Sequence, residues 1–253
     1  MEAIITIWIS IIGAIMGSFL GCMGYRIPNK IKTTYPSSFC SYCKKPLKWY
    51  MNIPILSYIF LHGKCKYCHK KIGIIYFIVE VLGFILFGLN YYLYKFNINF
   101  FISTILTCVL IVTIVSDFEY YYISDRVLII SAFCLIITYI VFLPKTDIYM
   151  RLISAVVLFL FMMGIKILGN NMFETESLGD GDIKLMAVLG LSLGLINSFI
   201  SLFFAALIAL IFSLITLKKN KEHIIPFGPF LIIGALIVIY FSPIINPVVE
   251  KLL

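Results

Sequence analysis

Apolar runs long enough to cross a bilayer recur from one end of the 253-residue chain to the other, separated by short polar segments. Runs of that length and spacing read as transmembrane helices. Eight are present, at about 4–24, 73–94, 98–116, 127–143, 151–168, 183–195, 197–217 and 227–246, taking roughly 20 residues per crossing; the sixth is short. With 62% hydrophobic and 13% charged residues, the chain is far more apolar than a water-soluble domain. The expected fold is an all-α polytopic membrane protein of about eight transmembrane helices, with no room for a second soluble domain.

The organisation follows from the charges. Residues 1–24 form a first helix. It has no basic segment before it, only Glu2, while Arg26 and Lys30 follow it, a pattern of a retained helix rather than a secretory signal. Residues 25–72 form a basic loop and 73–253 the remaining membrane core. Loops 25–72, 117–126, 169–182 and 218–226, with the flanking Lys166 and Lys184, hold sixteen of the twenty Lys and Arg residues. The positive-inside rule therefore puts these loops in the cytoplasm and the amino terminus outside. The net charge of +8 then reflects topology rather than nucleic-acid binding. The first loop alone has ten basic residues and no acidic one, which also draws it toward anionic headgroups.

That loop contains Cys40-Ser-Tyr-Cys43 and Cys65-Lys-Tyr-Cys68, separated by 21 residues. Two tight turns, each presenting two thiolates, complete a closed tetrahedral zinc-ribbon-like site, structural rather than catalytic. Neighbouring Lys44, Lys45, Lys64 and Lys66 favour thiolate. Cys22, Cys108 and Cys134 stand in apolar runs and read as packing residues.

Acidic residues number only twelve, so their placement is informative. Asp117 and Glu119 close the third run, Asp125 precedes the fourth, and Asp180 and Asp182 sit in Gly179-Asp180-Gly181-Asp182 before the sixth. Two carboxylates brought together at adjoining helix ends share a proton and activate a water between them. The plainer reading makes Asp125 and Asp182 helix caps and Asp117 a solvated terminus. Spacing alone does not choose Asp117 over Asp125. Glu80, inside the second run, is costly in a membrane and so a functional candidate, with pairing to a Lys or Arg an equal alternative.

Taken together these residues resemble the type IV prepilin peptidases, a bacterial branch of the Gly-x-Gly-Asp membrane aspartyl proteases, through nearly the whole chain. The matching stretches are Gly17-Ser18-Phe19-Leu20, Tyr25-Arg26-Ile27-Pro28, the paired cysteines, Trp49-Tyr50, Ile53-Pro54, Ser57-Tyr58, Gly63, Tyr76, Glu80, Gly179 to Leu185 and Pro226-Phe227-Gly228-Pro229. The turn after the first aspartate ends in Ile123-Ser124-Asp125, where the family has Ile-Pro-Asp. The resemblance implies that Asp117 and Asp182 are the catalytic pair, with Asp125 in reserve and Gly179, Gly181 and Lys184 as supporting motif residues. It implies cleavage of a short basic leader from prepilins or pseudopilins of pilus, competence or secretion systems, at the cytoplasmic membrane face of a bacterium. It also implies methylation of the new amino terminus with S-adenosylmethionine. No Gly-rich cofactor loop is present, so that site would be built from the first loop and the nearby helix, with Glu80 and Tyr76 as candidates.

Two other classes compete. A small transporter would place its acids near the midplane between repeats, whereas here they gather at one face and no repeat is visible. A noncatalytic assembly factor would tolerate loss of the aspartates. Oligomeric state is not readable.

Overall fold

The computed structural model describes residues 1–173, 178–216, 225–245 and 247; most of loop 218–226 lies outside them. Each apolar run forms one helix. In order these are α1 (Glu2–Arg26), α3 (Ile74–Tyr94), α4 (Ile98–Tyr120), α5 (Asp125–Phe142), α6 (Lys145–Phe173), α7 (Asp180–Leu193), α8 (Leu195–Thr216) and α9 (Gly228–Tyr240). A 3-10 turn, Trp49–Asn52, and the short α2 (Leu56–Phe60) lie in the loop between α1 and α3. No strand forms among the described residues.

Six helices, α1, α3, α4, α5, α6 and α8, are long and apolar enough to span a membrane. The chain is thus a multi-pass membrane protein. At 14 and 13 residues, α7 and α9 reach about 20 Å, short of the roughly 30 Å hydrocarbon core. Punctuation sets one end of each: α7 stops at Gly194, which takes a positive φ of 81°, and Pro229 in its first turn marks the start of α9. The expected eight helices are all present, six of them long enough to span on length and composition among the described residues.

At the centre stands α4, packed against α1, α3, α5 and α9, with Leu106, Ile111 and Val115 fully buried. Outward faces carry exposed Ile129, Phe133 and Ile140 on α5 and Val156 and Leu160 on α6, as suits lipid. Because lipid tails are as apolar as leucine, membrane helices associate by close packing, with small residues at the contact. Gly13 of α1 illustrates this: an added Cβ would stand 2.2 Å from the Gly83 carbonyl oxygen of α3. Gly17 and Gly21 continue the same seam against Val79, and Gly24 meets Val115 of α4. The same device joins α7 to α6 at Gly190 and α9 to α8 at Gly234.

Successive long helices run in alternate directions. One face therefore gathers the loop 27–73, the end of α4 and the starts of α5, α7 and α9. On the opposite face, the Tyr240 hydroxyl donates to Asn90 Oδ1 at 2.7 Å and the Tyr94 hydroxyl to the Ile239 carbonyl at 2.6 Å. There too the Tyr139 hydroxyl donates to the Leu191 and Ser192 carbonyls at 3.0 and 3.1 Å, joined by the Arg151 guanidinium at Ser192. These bonds satisfy carbonyls that the end of α7 leaves without helical partners.

Candidate active site

The last turn of α4 contains Asp117, three residues before the helix ends. Tyr121 then takes a left-handed φ of 51° and returns its N–H to the Asp117 carbonyl at 3.0 Å. Asp117 is only 5% exposed, so it is not a solvated terminus. Its Oδ2 accepts a hydrogen bond from the backbone N–H of Gly228 at 3.1 Å, where α9 begins. Asp182 stands in the first turn of α7, and its Oδ1 is buried with no hydrogen-bond partner among the described residues. The cap reading does not hold: the N-cap positions are Ser124 for α5 and Gly179 for α7, and neither aspartate caps its helix.

The other two aspartates have cations. Both oxygens of Asp125 accept from Lys184 Nζ, at 2.8 and 2.9 Å. Asp180 Oδ1 pairs with Lys166 Nζ at 2.6 Å, and that ammonium holds the Asp180 carboxyl below the usual carboxylate range. All four aspartates border one cavity of about 260 Å³, whose wall includes Tyr121, Tyr122 and Ile123. Asp117 and Asp182 line the same cavity, and neither forms an ion pair among the described residues. Such a pair can hold one proton between two carboxylates and polarise a water. Of the supporting motif residues, Gly181 has no room for a side chain, since a Cβ would meet Ile123 Cβ at 2.7 Å. Gly179 extends the chain into α7, and Lys184 belongs to the Asp125 pair.

Cys40, Cys43, Cys65 and Cys68 converge. Their sulfurs all lie within 4.8 Å of one another, Cys40 and Cys68 at 3.9 Å. Each Cys-x-x-Cys is a matching knuckle. Cys40 N–H donates to the Lys45 carbonyl and Lys44 N–H to that of Cys40; Cys65, Lys70 and His69 repeat the pattern. Lys44 and His69 each take a φ of 57° to close it. Four thiolates on a metal at about 2.3 Å stand about 3.8 Å apart, so the cluster could hold a metal ion.

Glu80 and Tyr76 line a separate cavity, of about 200 Å³, between α1, α3 and the cysteine loop. Glu80 Oε2 accepts the Ile55 backbone N–H at 2.7 Å; no Lys or Arg partner is present among the described residues. The Ile55 φ of 64° shows the loop folded in to make this bond.

Sequence reasoning missed three of these features: the Gly228 amide, the Asp125–Lys184 pair and the Asp180–Lys166 pair. Pro226 to Pro229 was visible as a motif, but a backbone donor has no residue type to announce it. Lys166 was legible only as topological charge, and Lys184 only as a motif residue with no partner assigned.

Comparison with known proteins finds relatives over most of the chain. Residues 11–94 match the bacterial peptidase A24 N-terminal domain and residues 104–214 the type IV leader peptidase family. Among curated proteins, the prepilin leader peptidase/N-methyltransferase of Bacillus subtilis (strain 168) is 30% identical over 230 residues, 90% of each chain. That of Vibrio cholerae is 30% identical over 253 residues, 96% of this chain and 98% of the relative. That of Neisseria gonorrhoeae is 27% identical over 256 residues, 90% and 88%. No solved structure matches the chain.

Proposed function

Because the chain belongs to the type IV leader peptidase family, we propose that Asp117 and Asp182 are the acid and base with which it cuts prepilin leaders. The chain is an aspartic endopeptidase that removes the leader from prepilins and N-methylates the new amino terminus. One observation carries the choice of residues. Four aspartates border the cavity, two of them are neutralised by lysines, and the two without a cation among the described residues, Asp117 and Asp182, come from different helices. Asp125, its oxygens both held by Lys184, is set aside as a catalytic group.

The ionised member of the pair takes a proton from water as that water attacks the scissile carbonyl, and the protonated member donates to the carbonyl oxygen or the leaving amine. The Gly228 N–H fixes Asp117 for this exchange. No covalent enzyme intermediate forms. The substrates are prepilins or pseudopilins, whose basic leaders would meet the enzyme at the face where the four aspartates open. The excess of Lys and Arg in the loops of that face supports a cytoplasmic orientation in the bacterial inner membrane.

The four cysteines fit zinc: an all-thiolate, closed set of tetrahedral spacing that would fix the loop and take no part in the chemistry. Glu80 and Tyr76 would hold S-adenosylmethionine, which supplies an electrophilic methyl group when bound. The fit rests on a carboxylate with one oxygen unclaimed by Ile55 and on the rings of Tyr25, Tyr58 and Tyr76 around it, a suitable lining for a sulfonium cation.

A crossed experiment tests both assignments. Asp182→Asn should lose cleavage of a prepilin-like peptide yet methylate a pre-cleaved one, and Glu80→Gln should do the reverse, by product mass. Cleavage by Asp182→Asn would remove the dyad; methylation by Glu80→Gln would remove the second site.

A further inference from the structure

Residues 121–124 between α4 and α5 form no helical turn, so the position of Ile123 must be set from outside the segment. Its side chain is wedged between two glycines of different elements. A Cβ on Gly181 of α7 would stand 2.7 Å from Ile123 Cβ, and one on Gly228 of α9 would stand 2.7 Å from Ile123 Cδ1. Ile123 therefore touches both the turn that presents Asp182 and the residue whose N–H holds Asp117.

Two residues on, Asp125 grips Lys184 through both oxygens, at 2.8 and 2.9 Å, and Lys184 is itself two residues past Asp182. The pair thus ties the linker to α7 at the level of Asp117 and Asp182. Resting on the dyad reading above, we infer that Ile123 sets the spacing of the aspartate-bearing helices and that the Asp125–Lys184 pair holds it there. Asp125 and Lys184 are positioning residues, acting on the reaction through Ile123 rather than on the substrate.

The energetics separate this role from a purely structural one. The side chains are 58% and 46% exposed, and exposed ion pairs contribute only about 0–1 kcal/mol to stability. Misplacing reacting groups by about 1 Å, in contrast, can cost roughly a hundredfold in rate. Loss of the pair should therefore appear in kcat and not in melting temperature. Ser124 sharpens the dependence. It has no ring to fix its φ, and the ion pair of its neighbour Asp125 supplies the restraint.

The test is a double-mutant cycle on the full chain in detergent with a prepilin-like peptide, using Asp125→Asn, Lys184→Met, the double variant and Lys184→Arg. Each single neutralisation should lower kcat about tenfold or more with KM unchanged. The double variant should be no slower than the slower single, since both remove the same pair. Lys184→Arg should keep most of the rate, and every melting temperature should stay at the wild-type value. Multiplying losses in the double variant, a wild-type rate in either single, a shared fall in melting temperature, or an Asp125→Asn enzyme as dead as Asp117→Asn would each overturn the inference. Failure of the dyad reading looks different: Asp117→Asn and Asp182→Asn would cleave.

Discussion

Placing a methyl group on Gly228 tests the geometry around Asp117 most finely. In Gly228→Ala the new Cβ would stand 2.7 Å from Ile123 Cδ1, 3.0 Å from Thr113 Cγ2 and 3.1 Å from Asp117 Oδ2. The isoleucine end can rotate away. Thr113 and Asp117 belong to the buried α4, so the relief must come from α9 moving off it. That movement lengthens the 3.1 Å bond from the Gly228 N–H to Asp117, and beyond about 3.5 Å no hydrogen bond remains. A bond to a charged acceptor contributes about 1.5–3 kcal/mol, so its loss in the transition state slows kcat roughly ten- to hundredfold at about 1.4 kcal/mol per decade. Overpacking should lower stability by about 1–3 kcal/mol. The assay is steady-state cleavage of a prepilin-like peptide, with methylation of a pre-cleaved peptide as the control, because that cavity lies between α1 and α3. A kcat within twofold of wild type would refute the claim that the Gly228 amide positions Asp117.

Further expectations concern the scaffold and the loop. Gly13→Val should separate α1 from α3, because even its Cβ would be 2.2 Å from the Gly83 carbonyl oxygen; a large fall in melting temperature in detergent checks it, and an unchanged one would mean the seam is not close-packed. Cys65→Ser should lose bound zinc by elemental analysis. A chelator should leave cleavage intact at first and then reduce it slowly as the loop disorders, so immediate loss would place a metal in the chemistry. Arg151→Met should strip the Ser192 carbonyl of its cationic donor and destabilise by about 1–3 kcal/mol, read as a lower melting temperature with KM unchanged.

The helices were legible because hydrocarbon thickness imposes a run length on the sequence; the run at 183–195 became Asp180–Leu193, displaced only where Gly179 and Gly194 end it. The cysteine cluster was legible for a related reason, since each knuckle closes within six residues. Asp117 and Asp125 could not be separated from spacing, because both stand at helix ends on one face. What separates them is Lys184, 59 residues away from Asp125. The Gly228 amide, more than a hundred residues from Asp117 in the chain, carries no side chain for a pattern to register. Local periodicity reached the elements; only packing of the helices together showed which carboxylates have a lysine partner among the described residues.

The central claim is the identity of the two working carboxylates. The direct measurement is the initial rate of prepilin-peptide cleavage by wild type, Asp117→Asn, Asp125→Asn and Asp182→Asn, each first shown to methylate a pre-cleaved peptide and hence to be folded. Asp117→Asn and Asp182→Asn should show no cleavage above background while Asp125→Asn retains roughly a tenth of the wild-type rate, the smaller loss expected of misplacement. Cleavage at a normal rate by either of the first two, or complete loss confined to Asp125→Asn, would contradict the account.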